Sequence, residues 1–489
     1  MGEHDTSSLA KYNRKHYING KFVDSVSQST YTVYNPKDGT LLSDQMAIAG
    51  AEDVEKAVQA AETAFFDGPW SKFTAVQRAA CLNKLADILE ERLVEILILD
   101  SLASGNPISL APTRDRPYII GHLRYYAGWT DKMKGDYFPD DDGFLKLVRH
   151  EPLGVCAAIN PFNSPIAAFF FKVAPALATG NVMIVKPSEK TPYGTFALAP
   201  LFEEAGFPPG VIQILSGTGE TGSLLAEHMR IRKISFTGSI PTGKRVQIAA
   251  AKSNLKRVTL ELGGKSPAVV FEDADIDNAV AWTVKAILAR SGQVCVSATR
   301  VYVQSSVFDK FVKEYTSRMT EAQGKLGDPQ DPEVQLGPLV DVAAAERVVG
   351  MIERGKNEAQ LVTGGKRVGD SRGAFVQPTV FINPKPDAEI YKKEIFGPVA
   401  VVKEFTTEDE VIRMANDTEY GLMAGVFTQD LNRALRVSAK LDSGVVGVNC
   451  VSQMSLQAPF GGKKASGLGR EFGEYALRAY TEPKTVLIK

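Results

Sequence analysis

Cysteine is scarce: Cys81, Cys156, Cys295 and Cys450 are the four in 489 residues, and no C-x-x-C pair occurs. That excludes a disulfide scaffold and fits reduced thiols in a cytoplasmic protein. An excess of one charge is also missing. Lys+Arg is 56 and Asp+Glu is 57, for a net charge of −1. No global field therefore draws the molecule onto nucleic acid or an anionic membrane. No clean apolar run exists either. The most apolar stretch, 153–180, carries Asn160, Pro161, Asn163, Pro165, Lys172 and Pro175, too many breakers and polar groups for a spanning helix. The opening MGEHDTSSLAKYNRKHY is polar and does not read as a secretory signal. Met1-Gly2 with Thr6 meets a myristoylation pattern only formally, since Glu3 is acidic. Repeats and low-complexity tracts are absent. What is present is 44% hydrophobic and 23% charged residues. This suffices for two or three folding units with real cores, and excludes a disordered chain or a rod.

Segment 52–66 places Val54, Ala57, Val58, Ala61 and Phe65 on one helical face, and 74–98 continues with Leu85, Leu89, Leu93 and Ile96. From 154 to 264 short β-rich runs appear: 154–160, 181–187, 211–217, 233–238 and 257–262. Segments of helical length separate them. The alternation predicts βαβ units and a parallel sheet, with ligands at the carboxyl ends of the strands. Residues 263–440 mix strands with helices near 274–290 and 307–322, a second α/β domain. Turn signals in 131–150 and the tail TEPKTVLIK read as edge strands. These are either covered within the chain or paired with a second copy.

One motif invites over-reading. Gly217, Gly219 and Gly222 form G-x-G-x-x-G between a strand and a helix, yet no Asp or Glu occurs between Glu227 and Glu261. A dinucleotide fingerprint expects an acid about 20 residues on, so a glycine-rich turn is as good a reading. The window 228–260 holds eight Lys/Arg and no acid, which could attract phosphates or merely form solvated faces. Glycines at 238 and 243 flank a strand-to-helix junction suited to a phosphate. Lys186 and Glu189 end the preceding strand's run and could hold ribose hydroxyls.

Further on, three motifs stand in series: Asn160-Pro161-Phe162-Asn163-Ser164-Pro165, Glu261-Leu262-Gly263-Gly264-Lys265-Ser266-Pro267, and Ser291-Gly292-Gln293-Val294-Cys295. Glu394-Ile395-Phe396-Gly397-Pro398 and Pro459-Phe460-Gly461-Gly462 follow. With these residues the chain resembles the NAD(P)-dependent aldehyde dehydrogenase superfamily over nearly its full length. The resemblance implies an NAD-binding domain at 1–130 and 151–262 and a catalytic domain at 263–465. Bridging or oligomerisation segments would lie at 131–150 and 466–489, in a homodimer or homotetramer.

It also implies roles. Cys295 matches the nucleophile, which adds to the aldehyde and must be a thiolate part of the time, in surroundings that lower its pKa. Asn163 and the Cys295 N–H match the oxyanion hole. Glu261 matches the base that activates water against the thioester. Lys172 and Glu471 match positions assisting proton movement. For the coenzyme, Lys186 and Glu189 match adenosine-ribose ligands, and Gly219, Gly238, Ser239 and Gly243 the phosphate turn. Glu394 and Phe396 match ligands of the nicotinamide ribose. A carboxylate at Glu189 favours NAD over NADP without making the preference absolute. No metal site is expected.

Matched positions further imply a substrate channel lined by Ser164, Ala168, Phe171, Val294, Val296, Met454 and Phe460. That lining is mainly apolar and offers no Lys or Arg for a carboxylate. A medium-sized aliphatic or aromatic aldehyde is the expected small-molecule partner. A betaine aldehyde or semialdehyde is the alternative. A CoA-acylating enzyme, a thiol esterase and an inactive structural relative remain further readings. Cys81 and Cys156 read as core; Cys450 reads as core or channel wall. The chain departs from the pattern at Leu288 and Arg290, where Phe and Asn are frequent, and at Phe162, where Trp is frequent.

Overall fold

The computed structural model describes residues 6–489; the Met1-Gly2 pattern lies outside them. Two mixed sheets carry the architecture. The first has eight strands in the order Lys21–Asp24, Lys15–Ile18, Ile212–Ile214, Val182–Lys186, Val155–Ile159, Lys233–Thr237, Arg257–Glu261 and Gly467–Leu468. Its five inner strands run parallel. Val155–Ile159 and Val182–Lys186 are buried at every position. That is why they read as continuous apolar runs without alternation. Between them passes Pro165–Ala178, a helix buried on nearly all sides, as its sequence, apolar but for Lys172, dictates.

The second sheet has seven strands. It runs Gln360–Thr363, Thr379–Ile382, Val399–Phe405, Ala298–Gln304, Ser266–Val270, Met423–Phe427 and Val445–Val448. The expected helices appear as Ala51–Phe66, Ile276–Leu288 and Phe308–Gln323. The one anticipated at 74–98 runs longer, Ala75–Ser104. Thr74 and Gln77 cap its start, and Gly105 ends it at φ 70°.

The tail strand Thr481–Ile488 pairs antiparallel with Leu145–Pro152, which pairs with Asp136–Phe138. Its outer edge has no partner strand among the described residues. The boundary expected at 466 falls elsewhere. Gly467–Leu468 closes the first sheet against Leu260 and Glu261, and Glu471 exchanges backbone hydrogen bonds with Phe460. Only the last strand joins the bridging sheet, because residues 467–480 are packed against the end of the first.

Candidate active site

A cleft of about 860 Å³ opens where the carboxyl ends of the first sheet's strands face the loops of the second. Strand register sets one wall. Ile159 lies beside Phe236, and Thr237 beside Glu261, so Asn160, Thr237 and Glu261 follow one another across adjacent strand ends. Asn163, Lys186, Glu189, Gly219, Gly238 and Ser239 line the same wall; Cys295, Glu394 and Phe396 line the opposite one.

Cys295 stands on a constrained loop. Arg290 and Ser291 adopt φ 49° and 54°, and Gly292 φ 76°. A Cβ at Gly292 would overlap the Gly397 backbone, so the left-handed turn there requires glycine. The Ser291 hydroxyl donates to Gly337 O at 2.7 Å, and Gln293 Oε1 accepts from Val340 N–H at 2.9 Å. Asn163 Nδ2 donates to Gln293 O at 2.7 Å, tying the two halves of the expected oxyanion hole together. The electrostatics run against expectation. Burial, with the Glu394 and Glu261 carboxylates adding, pushes the Cys295 thiol up to about 12, and backbone N–H donors offset only part of this. Its surroundings favour the thiol, not the thiolate.

Glu261 is 4% exposed and its Oε2 has no partner. Burial and neighbouring Glu471 raise its pKa well above the usual carboxylate range, against the pull of Lys172 and Arg470. Lys172 Nζ donates to Thr237 Oγ1 at 2.8 Å and forms a buried ion pair with Glu471. Thr237 was not anticipated as part of this group. Its position at the end of an apolar run was the available signal.

On the coenzyme side, Lys186 Nζ donates to the carbonyls of Pro187 at 2.7 Å and Gly217 at 2.8 Å, and lies 3.4 Å from Glu189 Oε2. The discounted glycine motif thus has a structural use at Gly217, while Gly219 opens onto the cleft with nothing near its missing side chain. Ser239 precedes the helix Ile240–Lys252, whose free N–H groups face the cleft. Gly243 has a packing role. A Cβ there would lie 2.7 Å from Leu262 Cδ2, so it lets the helix pack closely on the sheet. Of the eight basic residues in 228–260, Arg245 lines the cleft. Arg230 pairs with Glu55 and Glu62, Arg257 with Glu482, and Lys233 and Lys256 are buried. Glu394 Oε1 accepts from Gly264 N–H at 3.0 Å. Phe396, at φ 55°, meets Phe162 edge-on. Arg347, which the sequence reading missed, also lines the cleft and donates to Ile395 O at 2.7 Å.

These residues fit a dinucleotide. The cleft combines a helix N-terminus, the polar side chains of Lys186, Glu189 and Glu394, and Asn160. Asn160 is 3% exposed and neither end of its carboxamide has a partner. A buried amide left open in this way marks where a polar ligand arrives.

Phe171, Val294, Val296, Met454 and Phe460 cluster with Cys295, joined by Tyr118 and Phe472. Ser164 instead lines a small cavity beside Arg290, which pairs with Asp115 at 3.1 Å. Ala168 is buried in its helix. Cys450 lies apart from the cluster and packs against Gly447. Cys81 and Cys156 are buried in a helix and a strand. Among the described residues no helix is long and apolar enough to cross a membrane, and no metal-ligating group of His, Cys, Asp or Glu forms.

Comparison with known proteins agrees. The model of the Aldehyde dehydrogenase family matches residues 22–486. Aldehyde dehydrogenase 1A1 of Homo sapiens is 45% identical over 478 residues, covering 97% of this chain and 95% of that protein. The structure of a Bacillus cereus aldehyde dehydrogenase in complex with NAD+ superposes at a TM-score of 0.95, with 40% identity over 100% of this chain and 99% of that one. A Pseudomonas syringae indole-3-acetaldehyde dehydrogenase, in complex with NAD+ and IAA, gives 0.94 with 38% identity and 99% coverage of each. The chain belongs to the aldehyde dehydrogenase family. It is an oxidoreductase of aldehydes that uses NAD(P).

Proposed function

We propose that this enzyme oxidises medium-sized aliphatic or aromatic aldehydes to carboxylic acids through covalent attachment to Cys295, with NAD preferred. The observation that carries the reading is that Cys295, Asn163 and Glu261 share one cleft with the coenzyme-type ligands Lys186, Glu189, Ser239 and Glu394.

A bare aldehyde carbon is a poor hydride donor. The Cys295 thiol first gives up its proton to water, and addition of the resulting thiolate converts the aldehyde carbon to a tetrahedral thiohemiacetal whose oxygen bears negative charge. Asn163 has one amide hydrogen on Gln293 O and a second free for that oxygen, alongside the Cys295 N–H. One such donor contributes ~3 kcal/mol to the transition state. Bound NAD supplies the hydride acceptor, and the substrate remains on sulfur as a thioester. Glu261 then takes a proton from water, which attacks the thioester carbon, breaks the C–S bond and releases acid and thiol. The unpartnered Glu261 Oε2 is the atom free to accept that proton. The Lys172–Glu471 pair and Thr237 hold charge beside it and offer a route for the proton away from the cleft.

Glu189 accepts ribose hydroxyls and repels a 2′-phosphate, the source of the NAD preference. The two-part coenzyme domain, the catalytic domain and the open edge of Thr481–Ile488 fit a homodimer or homotetramer assembled through that edge. Four free cysteines fit a cytosolic location. A mouse relative, 44% identical, is named aldehyde dehydrogenase, cytosolic 1. The test is NADH formation at 340 nm over a panel of aldehydes, with and without CoA. An absorbance rise without CoA is expected, and Cys295→Ala should abolish it while NAD still raises the melting temperature. Silence across the whole panel would end this reading.

A further inference from the structure

The apolar cluster around Cys295 carries the Tyr118 hydroxyl among its carbon atoms, and the buried ring of His122 lies against its Phe171 and Phe472. Tyr118, early in the helix Arg116–Ala127, packs among Phe171, Val294, Val296, Met454, Phe460 and Phe472. It meets Phe171 edge-on with ring centroids 5.7 Å apart. The ring is partly exposed, yet the hydroxyl is withdrawn from solvent and has no hydrogen-bond partner among the described residues. Burial, with nearby Glu471 adding, keeps the phenol protonated, so it is a donor. Glu471 is close enough to act on it electrostatically but makes no hydrogen bond to it. A phenylalanine would pack as well, so nothing in the free protein accounts for the oxygen.

Resting on the proposed aldehyde oxidation, we propose that Tyr118 is a specificity-determining residue. Its hydroxyl donates a hydrogen bond to an oxygen on the body of the substrate. The preferred aldehydes are then oxygenated ones, bearing a hydroxyl, alkoxy or carbonyl group beyond the reacting carbon, and not plain hydrocarbons. A site holding an open donor discriminates against a ligand that leaves it open.

The test compares kcat/KM for matched pairs, benzaldehyde against its hydroxy and methoxy ring isomers and hexanal against oxygenated chains of equal length, in the wild type and in Tyr118→Phe. The wild type should favour the best oxygenated member by about ten- to a hundredfold. Tyr118→Phe should collapse that ratio towards one. The variant should also melt no lower than the wild type, since the lost oxygen has no partner to lose. Equal loss on both members of a pair, no wild-type preference, or a lowered melting temperature would each overturn the assignment and leave the dehydrogenase reading standing. Failure of the wild type on every aldehyde would overturn both.

Discussion

The thiol at Cys295 sits in an environment that keeps it protonated, and this has a measurable consequence in the coenzyme-free protein. Burial beside Glu394 and Glu261 pushes its pKa from an ordinary 9.0 to about 12, about 3 pH units. Below both values the thiolate fraction is lower by about 1,000-fold. A more basic thiolate is the better nucleophile, and a Brønsted coefficient of about 0.4–0.5 recovers a factor of ~20. The net expectation is alkylation by iodoacetamide about fiftyfold slower than a small free thiol at pH 7.5. The sign is unambiguous. Each pH unit upward should raise the rate about tenfold, with no plateau below pH 10. Stopped-flow alkylation, with the site of labelling read by mass spectrometry and Cys295→Ala as the blank, measures it. Cys450, also partly exposed, serves as the internal comparison. A plateau below pH 8 would refute the reasoning, since it would mean that some cation or donor outweighs burial at the sulfur.

Glu261→Gln should permit acylation and block hydrolysis, giving one equivalent of NADH as a burst and steady turnover lowered by about 10²–10⁴; full turnover would remove Glu261 from the hydrolytic step. Lys172→Met leaves Glu471 a buried, unpaired carboxylate and should lower unfolding stability in urea by about 3–5 kcal/mol, with Lys172→Met/Glu471→Leu recovering much of it. Glu189→Gln removes the charge facing the ribose and should lower KM for NADP relative to NAD by about tenfold or more, checked by initial rates with each coenzyme. Gly263→Ala drives a methyl group into the Glu394 carboxylate and should weaken NAD binding, read as a smaller coenzyme-induced shift in melting temperature.

Much of the coenzyme wall was legible because its pieces are local. Short apolar runs ending at Asn160 and Lys186 announce buried parallel strands, and in such sheets the polar residue that ends a run lies at the ligand crevice. Gly243 is ambiguous in the sequence for an equally physical reason. A glycine at a helix start can serve a phosphate or a close helix-to-sheet contact, and only the tertiary structure reveals the contact with Leu262. The boundary near 466 failed because a two-residue strand, Gly467–Leu468, carries no periodicity to detect.

What the sequence determined alone was the chemistry available: a thiol, a carboxylate and an amide in loops that follow predictable strands. Those features depend on residue type and near neighbours. The tertiary structure decided what state these groups occupy. Lys172 reaches Glu471 across 299 residues, Tyr118 loses its hydrogen-bond partners to an apolar cluster built from distant segments, and Cys295 is held as a thiol by burial beside two remote carboxylates. Desolvation and Coulomb terms sum over everything nearby in space, whatever its separation along the chain.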